Sequence, residues 1–455
     1  MNKKLMAVAI LGALAASTQA GAQTQSVQEL QQALAQAQKA AADAQKAAQQ
    51  AQEALAQIQQ ASAEAKQAEK SAAESAQSVK TAQADHGFDP EKSTGGGLVY
   101  KSGGDMIRLY GLIDLSMSRK SNANSAGDSQ TDMSVAYFSG NRWGLEGEHA
   151  LKDTDGLKAI FKLESEYELP TGNMDTPGVL FNRDAWLGVE SETLGKLTFG
   201  RQNTLPREFS KIYGDAYGSA RMTLNEGGYT NNNNFKQLIF YSGSATGTRY
   251  DKGIVWKKEY GKWVVGLAYQ VGGTPGDTKE GSTKAAGLAY NGGVYNLAGY
   301  YNSATVDGYN HTSYSVGGNY QVTKLVRLNA GYFNYKADQP LAIGNRSDKA
   351  YTLSAKFTPG GKFDYELGWQ TMNADNAGLN GKGYVMNAFS STADVVATGT
   401  GKRKTWYGSV FYHFDKRTEL YFALDHLSTD GTYKAAQANG FDSQNEAAVG
   451  MRFKF

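Results

Sequence analysis

Across 455 residues, 46 lysines and arginines meet 44 aspartates and glutamates, with 53 glycines, 27 tyrosines, seven prolines and no cysteine. The missing cysteine excludes disulfides and a lipid-bearing N-terminal thiol, and the even charge leaves neither a basic stripe for nucleic acid nor an acidic solvating block. What remains is a polar chain rich in Tyr and Gly, compatible with a secreted β-protein or with a transmembrane barrel whose inner face is polar.

Met1-Asn2-Lys3-Lys4, the apolar run from Leu5 to Ala16 and the small residues Ala20-Gly21-Ala22 make the charged, apolar and cleavage regions of a Sec signal peptide over residues 1–22. The run is too short to span a bilayer, so the chain reads as exported, with cleavage after Ala20 or Ala22. Losing Lys3 and Lys4 takes the basic count from 46 to 44, level with the 44 acids.

Residues 23–80 are dominated from Ser26 onward by Ala, Gln, Lys and Glu, without Gly, Pro or an aromatic residue, and these are strong helix formers. A heptad frame starting at Val27 puts Leu30, Leu34, Ala37, Ala41, Ala44, Ala48, Ala51, Leu55 and Ile58 at successive a and d sites, and weakens beyond them as Ser62 and Glu69 enter. Such a seam predicts a coiled coil, about 80 Å long at the helical rise, that needs partner chains to cover its Ala-rich stripe. A solitary low-complexity helix or a disordered linker is the competing reading. Over residues 81–104 Asp89-Pro90 and Gly95-Gly96-Gly97 break the helix and mark a linker.

From Asp105 to the end the period becomes two. Phe363, Tyr365, Leu367 and Trp369 alternate with polar or small residues, as do Val326, Leu328, Ala330 and Tyr332, while Leu157, Ala159, Phe161 and Leu163 alternate with Lys158, Ile160, Lys162 and Glu164. Each segment has about the length a tilted strand needs to cross an outer membrane. Short turns at Tyr260-Gly261, Asn291-Gly292-Gly293, Pro359-Gly360-Gly361 and Asp415-Lys416-Arg417 alternate with long polar loops at Ala337–Asp348, Met372–Lys402 and Ser428–Asn445. Short turns on one side and long loops on the other predict an up-and-down membrane barrel. The count is sixteen antiparallel strands, from about Asp105–Ser118 to Glu446–Phe455, and an even count returns both barrel ends to the periplasmic side. At the C-terminus Val449, Met451, Phe453 and Phe455 share one face, and Arg452 and Lys454 the other. That ending resembles the signal by which outer-membrane barrels are recognised for insertion by the barrel assembly machinery.

Enzymatic and metal chemistry find no support. His86, His149, His311, His413 and His426 are scattered without metal-ligand spacing. Thr400-Gly401-Lys402-Arg403 lacks the glycine spacing and following Ser or Thr of a phosphate loop. No cofactor, metal or catalytic residue is expected.

Several segments carry a resemblance. They are Ile107-Arg108-Leu109-Tyr110-Gly111, Asn141-Arg142-Trp143-Gly144-Leu145-Glu146-Gly147, Gly156-Leu157-Lys158-Ala159-Ile160-Phe161-Lys162-Leu163-Glu164, Leu180-Phe181-Asn182-Arg183-Asp184-Ala185-Trp186-Leu187-Gly188-Val189 and Leu197-Thr198-Phe199-Gly200-Arg201-Gln202. In this order, and with the terminal Phe455, they resemble the general trimeric porins of Gram-negative outer membranes from about Val99 to the end. The resemblance implies a homotrimer of water-filled barrels among outer-membrane lipids, passing small hydrophilic solutes and ions passively. Each barrel is narrowed by an inward-folded third loop, whose acids face basic residues on the wall and set a transverse field. By position Arg142 and Arg183 match wall arginines, and Arg249 matches another through its spacing to Ile254 and Trp256. The third loop then runs from about Asn203 to Thr248, Gln237–Tyr241 included. Its candidate acids are Glu226 and Asp215, although Asn225 stands where the family has proline. Arg108 and Arg201 are expected to pair locally.

The fold class expected is therefore an all-β transmembrane barrel preceded by an α-helical coiled coil. The coil departs from the usual porin plan and resembles the trimeric helices of envelope-spanning lipoproteins, which suggests a tether through peptidoglycan. A substrate-specific channel, or a mainly structural tether, is the alternative. A trimeric autotransporter adhesin also joins coil to barrel, but each of its chains supplies only a few strands.

Overall fold

The computed structural model describes residues 97–135, 137–224 and 243–455. The signal peptide, the coiled-coil seam from Val27 to Ile58, most of the linker and Glu226 lie outside the described residues.

Strands β1 (Leu98–Ser102), β2 (Asp105–Lys120), β3 (Gln130–Val135), β4 (Asn141–Ala150), β5 (Lys158–Tyr167), β6 (Asp184–Ser191) and β7 (Gly195–Asn203) precede helix α1 (Leu205–Ser210). After it come β8 (Arg249–Tyr260), β9 (Trp263–Gln270), β10 (Thr283–Asn291), β11 (Tyr295–Val306), β12 (Tyr309–Gln321) and β13 (Val326–Ala337). The last five are β14 (Arg346–Phe357), β15 (Phe363–Gly378), β16 (Thr398–His413), β17 (Thr418–Thr429) and β18 (Ser443–Lys454). All belong to one antiparallel sheet, which closes where β18 pairs with β2 from Glu446↔Lys120 to Lys454↔Leu112.

Eighteen strands make a sixteen-stave barrel. Strands β3 and β4 form one stave, pairing with the upper half of β2 (Leu115↔Val135) and its lower half (Leu112↔Arg142). Strand β1 continues the line of β18. The terminal Phe455 exchanges backbone hydrogen bonds with Gly111, which leaves the edge of β2 below it unpaired, and β1 fills that edge from Leu98↔Leu109 to Ser102↔Asp105. An open edge is a liability, so part of the stretch expected to be linker folds as strand. A side chain at Gly111 would have its Cβ 2.2 Å from the Phe455 ring. The seam therefore requires glycine there.

The alternation expected from Asp105 onward points apolar residues outward and polar ones into the lumen. Leu187, Leu267, Val316 and Leu367 are exposed on the outer face, where bilayer replaces water. Long loops fall at 338–345, 379–397 and 430–442, inside the spans expected of them. One connection on the long-loop side is instead the two-residue turn Asp307-Gly308, both at positive φ, a geometry suited to a twisted hairpin.

Outward Tyr and Trp form two belts. Tyr260, Trp263, Tyr290, Tyr295, Tyr320 and Tyr412 mark the short-turn end, while Tyr269, Tyr301, Tyr314, Tyr332, Tyr351, Trp369 and Trp406 mark the long-loop end. Such belts sit at membrane–water interfaces. They are densest from β8 to β16; elsewhere outward Tyr and Trp are scattered, with Tyr100 on β1 and Trp143 on β4. On β17, β18, β2, β6 and β7 the outer face is plain aliphatic and Phe, with Leu424, Phe422, Val449, Met451, Met117, Leu187 and Phe199.

Candidate pore constriction

The third loop leaves β7 at Thr204 and turns into the lumen. Thr204 Oγ1 caps α1 by accepting the Arg207 N–H at 3.4 Å, and Pro206 sits in the first turn where no donor is needed. From there the loop lies against the wall through Leu205, Phe209, Ile212 and Tyr213, all fully buried. The wall makes room with glycines: a Cβ at Gly287 would lie 2.6 Å from the Phe209 ring, and one at Gly317 would lie 2.4 Å from the Tyr213 ring. Tyr213 also donates to Ser315 Oγ at 2.8 Å.

Wall side chains satisfy the backbone of the loop. Asn319 donates to the carbonyls of Ile212 (2.9 Å) and Ala220 (2.7 Å), Thr352 to Tyr213 (3.1 Å), and Gln370 to Gly214 (3.0 Å). Arg327 donates to Ala216 and Gly218 at 2.9 and 2.7 Å. A buried carbonyl without such a donor is costly, and each bond contributes about 1 kcal/mol net. Burying Phe209 and Tyr213 adds about 2–3 kcal/mol each. The described loop is a fixed partition.

Farther along, Tyr217 stacks on Phe138 (5.3 Å) with the Arg452 guanidinium 4.8 Å from its ring. Phe138 comes from the kink between β3 and β4. Its N–H and that of Ser139 donate to Asp114 at 3.2 and 2.9 Å, while Tyr137 donates to Asp425 at 2.7 Å. The described part of the loop thus follows the inner wall from β9 round to the seam.

Beside this partition the wall arginines gather. Arg142 Nη1 stands 3.9 Å from Glu164 Oε1, and its Nε donates to the Gly140 carbonyl at 2.8 Å. Arg183 pairs with Glu164 (2.5 Å) and with Glu166. Arg249 Nε donates to the Arg183 carbonyl at 3.1 Å. Lys162 bridges Asp184 at 2.8 Å and Glu164 at 3.6 Å. A fourth guanidinium, Arg207 on α1, joins them: burial first, then the positive charges of Arg249, Arg183 and Arg142, hold it well below the ordinary arginine range. Five cationic side chains therefore meet the carboxylates Glu164, Glu166 and Asp184, and the local field is positive. Arg108 pairs locally with Glu146 at 3.0 Å, and Arg201 pairs with Asp251.

The structure brings Arg142, Arg183 and Arg249 together. Asp215 stands apart from them. It is 1 % exposed, Oδ1 accepts the Gly218 N–H at 2.7 Å, and Oδ2 is buried without a hydrogen-bond partner among the described residues. The carboxylate shapes the turn of the loop instead of facing the wall arginines. Sequence reasoning missed Arg207, although Thr204 followed by Pro206 is a helix-start signal; it also missed the Tyr137-Phe138 wedge, which breaks the alternation.

Burial, and then the nearby Glu366, push the Asp215 carboxyl up to about 7. Docking of the loop therefore favours the protonated acid. Its stability is greatest below the ordinary carboxylate value near 4 and falls as pH rises toward 7. Asp215→Asn keeps the Oδ1 acceptor and removes the titration. The voltage at which channels close should vary between about pH 4 and pH 8 in the wild type and be flat in the variant. A slope that survives the substitution would assign it elsewhere.

Comparisons with known proteins bear on this geometry. Residues 68–432 match the Gram-negative porin family. An outer membrane porin protein of Bordetella pertussis is 28 % identical over 384 residues, covering 77 % of this chain and 94 % of the relative. Among solved structures, the anion-selective porin from Comamonas acidovorans superimposes with a TM-score of 0.56 at 18 % identity, over 77 % of this chain and 100 % of that one. OmpT of Vibrio cholerae in its trimer form gives 0.52 at 17 % identity, over 78 % of this chain and 100 % of that one.

Proposed function

The chain belongs to the Gram-negative porin family and forms an outer-membrane channel rather than an enzyme; from that premise we propose passive diffusion of small hydrophilic solutes with a preference for anions. The arginine cluster carries this reading. Arg142, Arg183 and Arg249 act as the basic pore wall, and the inward loop adds Arg207 to the same side of the charge balance. A narrow, partly dehydrated passage amplifies such a field. The anion-selective porin from Comamonas acidovorans, which shares the fold, supports the same direction. Glu226 is the acid proposed to oppose the wall from the third loop, while Asp215 serves loop packing.

The oligomer proposed is a homotrimer. The aromatic belts thin out after β16 and are dense again at β8, leaving a mostly aliphatic sector fitted to protein rather than to headgroups, and the trimer form of OmpT offers a precedent on this fold. Phe455 and Phe453, stacked 6.3 Å apart at the seam, are proposed as the insertion signal read by the barrel assembly machinery. Single-channel recording in a planar bilayer tests the reading: large ohmic steps, closing in threes and more permeable to anions, are expected. Tiny or absent conductance would overturn it.

The N-terminal coiled coil is proposed to lie in the periplasm and tie the outer membrane to peptidoglycan, the support being its heptad seam. Deleting Ser26–Lys80 should leave step conductance unchanged and loosen the envelope. Unchanged envelope spacing would refute the tether. A substrate-specific channel is the second reading, favoured by the many wall side chains that fix the described part of the loop.

A further inference from the structure

The loop at 379–397, between β15 and β16, also turns into the barrel. Its Met386 carbonyl accepts from Arg346 Nη1 at 2.8 Å, and Thr392 Oγ1 donates to the Asp338 carbonyl at 2.8 Å. Between these two ties Phe389 is 4 % exposed, wedged among side chains of β12 and β13. Its ring stacks on His311, with centroids 5.8 Å apart, and lies 5.3 Å from the Tyr335 ring. Its N–H donates to Tyr335 Oη at 2.9 Å, and the same hydroxyl meets His311 Nδ1 at 2.7 Å. Phe389 sits there against two opposing terms. Its φ is +62°, in the left-handed region where a bulky side chain is strained. It also stacks over a histidine whose Nε2 is buried without a hydrogen-bond partner among the described residues, which is costly. Opening relieves both, closing buries the ring, and such opposition makes an element with two positions.

The same ring touches the third loop. Gly243, where that loop returns to the wall, has no room for a side chain: a Cβ would lie 2.8 Å from the Phe389 ring and 3.3 Å from its Cβ. Asn302 Nδ2 holds the Gly243 carbonyl at 2.8 Å, and Thr283 Oγ1 accepts the Ala245 N–H at 3.0 Å. The residues that follow carry the contact to the arginine cluster. Ser244 Oγ and Thr246 Oγ1 both donate to the Arg249 carbonyl, at 2.6 and 2.9 Å. Arg249 Nε in turn donates to the Arg183 carbonyl at 3.1 Å.

We propose that the 379–397 loop is a latch on the constriction, in which Phe389, seated on His311 and Tyr335, is a positioning residue that holds the return limb of the third loop and, through it, Arg249. The proposal rests on the pore reading above. With the latch seated, Arg249 keeps its place beside Arg183 and the channel keeps its anion preference. With Phe389 withdrawn, the limb loses the surface that Gly243 packs on and Arg249 moves with it. Step size and ion preference then change together. The constriction is thereby controlled from the long-loop side, through a segment more than a hundred residues away in sequence.

The chain has no cysteine of its own, which allows a reversible test. Gly243→Cys combined with Phe389→Cys sets two Cβ atoms 3.3 Å apart, close to the roughly 3.8 Å that a disulfide takes. Oxidised, the pair ties the loop to the limb without the ring; reduced, it leaves the latch released. In planar bilayers, reductant should lower the anion-to-cation permeability ratio of the pair by roughly twofold to fivefold, with a simultaneous change in step size and noise. Oxidant should restore both. Either single-cysteine variant should be insensitive to reductant. Phe389→Ala should match the reduced pair, and Phe389→Leu, apolar and of similar reach, should recover most of the wild-type ratio. A purely structural role for Phe389 predicts that Phe389→Ala melts earlier at an unchanged zero-current potential, and that result would overturn the proposal. So would a pair that does not cross-link, because Gly243 and Phe389 would then not be neighbours, or oxidised and reduced pairs that share one zero-current potential. Absence of conductance steps from the wild type and every variant would strike the pore reading instead.

Discussion

Replacing Arg142 and Arg183 together by glutamine should abolish most of the anion preference of the channel, so that the zero-current potential in a salt gradient moves toward zero. Arg183 holds Glu164 and Glu166, and Arg142 shares Glu164. Without them three carboxylates face only Lys162, Arg207 and Arg249, the passage passes from net positive to neutral, and Glu166 loses its arginine while Glu164 keeps Lys162 at 3.6 Å. Each charge acts on a passing ion with about 1 kcal/mol at about 4 Å even in water. Two lost charges amount to a shift of roughly tenfold or more in the permeability ratio. Removing one partner of a buried pair also costs about 3–5 kcal/mol, so the variant must first be shown to form a heat-resistant barrel. A folded variant whose zero-current potential is unmoved would take Arg142 and Arg183 out of the conduction path.

The second large effect is expected at Gly317. A valine there cannot coexist with the ring of Tyr213, whose Cγ would lie 2.4 Å from the new Cβ. The barrel has nowhere to retreat, because the same glycine pairs with Gly331 on the next strand and a Cβ there would also strike Tyr213, at 2.5 Å. The loop must leave, losing the Tyr213–Ser315 bond and the carbonyl bonds from Thr352 and Gln370. Single-channel steps should change at least twofold and become noisy, and the melting temperature should fall. Tyr213→Ala combined with Gly317→Val restores room for the backbone, and quieter channels are expected from the double variant than from Gly317→Val alone. Wild-type conductance in the single variant would mean that the loop does not partition the lumen.

Much of this architecture could be read from local pattern. Period-two alternation is a property of one strand at a time, so Phe363–Trp369 or Val326–Tyr332 declares its two faces without knowledge of its neighbours. Loop lengths gave the two ends of the barrel in the same way. Arg142 and Arg183 were legible through the segments around them, and the structure sets both beside Glu164. Other features depend on contacts across the chain. Whether Asp215 faces water or protein depends on Glu366 and Arg327, more than a hundred residues away. The contribution of Arg207 depends on where a six-residue helix lands on the opposite wall. Strand β1 folds back on β2 through Gly103-Gly104 and takes the part of that edge which β18, more than three hundred residues later, does not reach.

That same seam has a consequence in time. Its register pairs run from Leu112↔Lys454 upward, joining the first stave made to the last. These pairs span more than three hundred residues, and long-range pairing is the slow step of sheet formation. The barrel cannot shut until β18 has been exported, and until then β2 waits with an open hydrogen-bonding edge. A newly secreted molecule must therefore cross the aqueous compartment unfinished, and whatever escorts it has to shield one particular strand, the earliest one, for the whole journey.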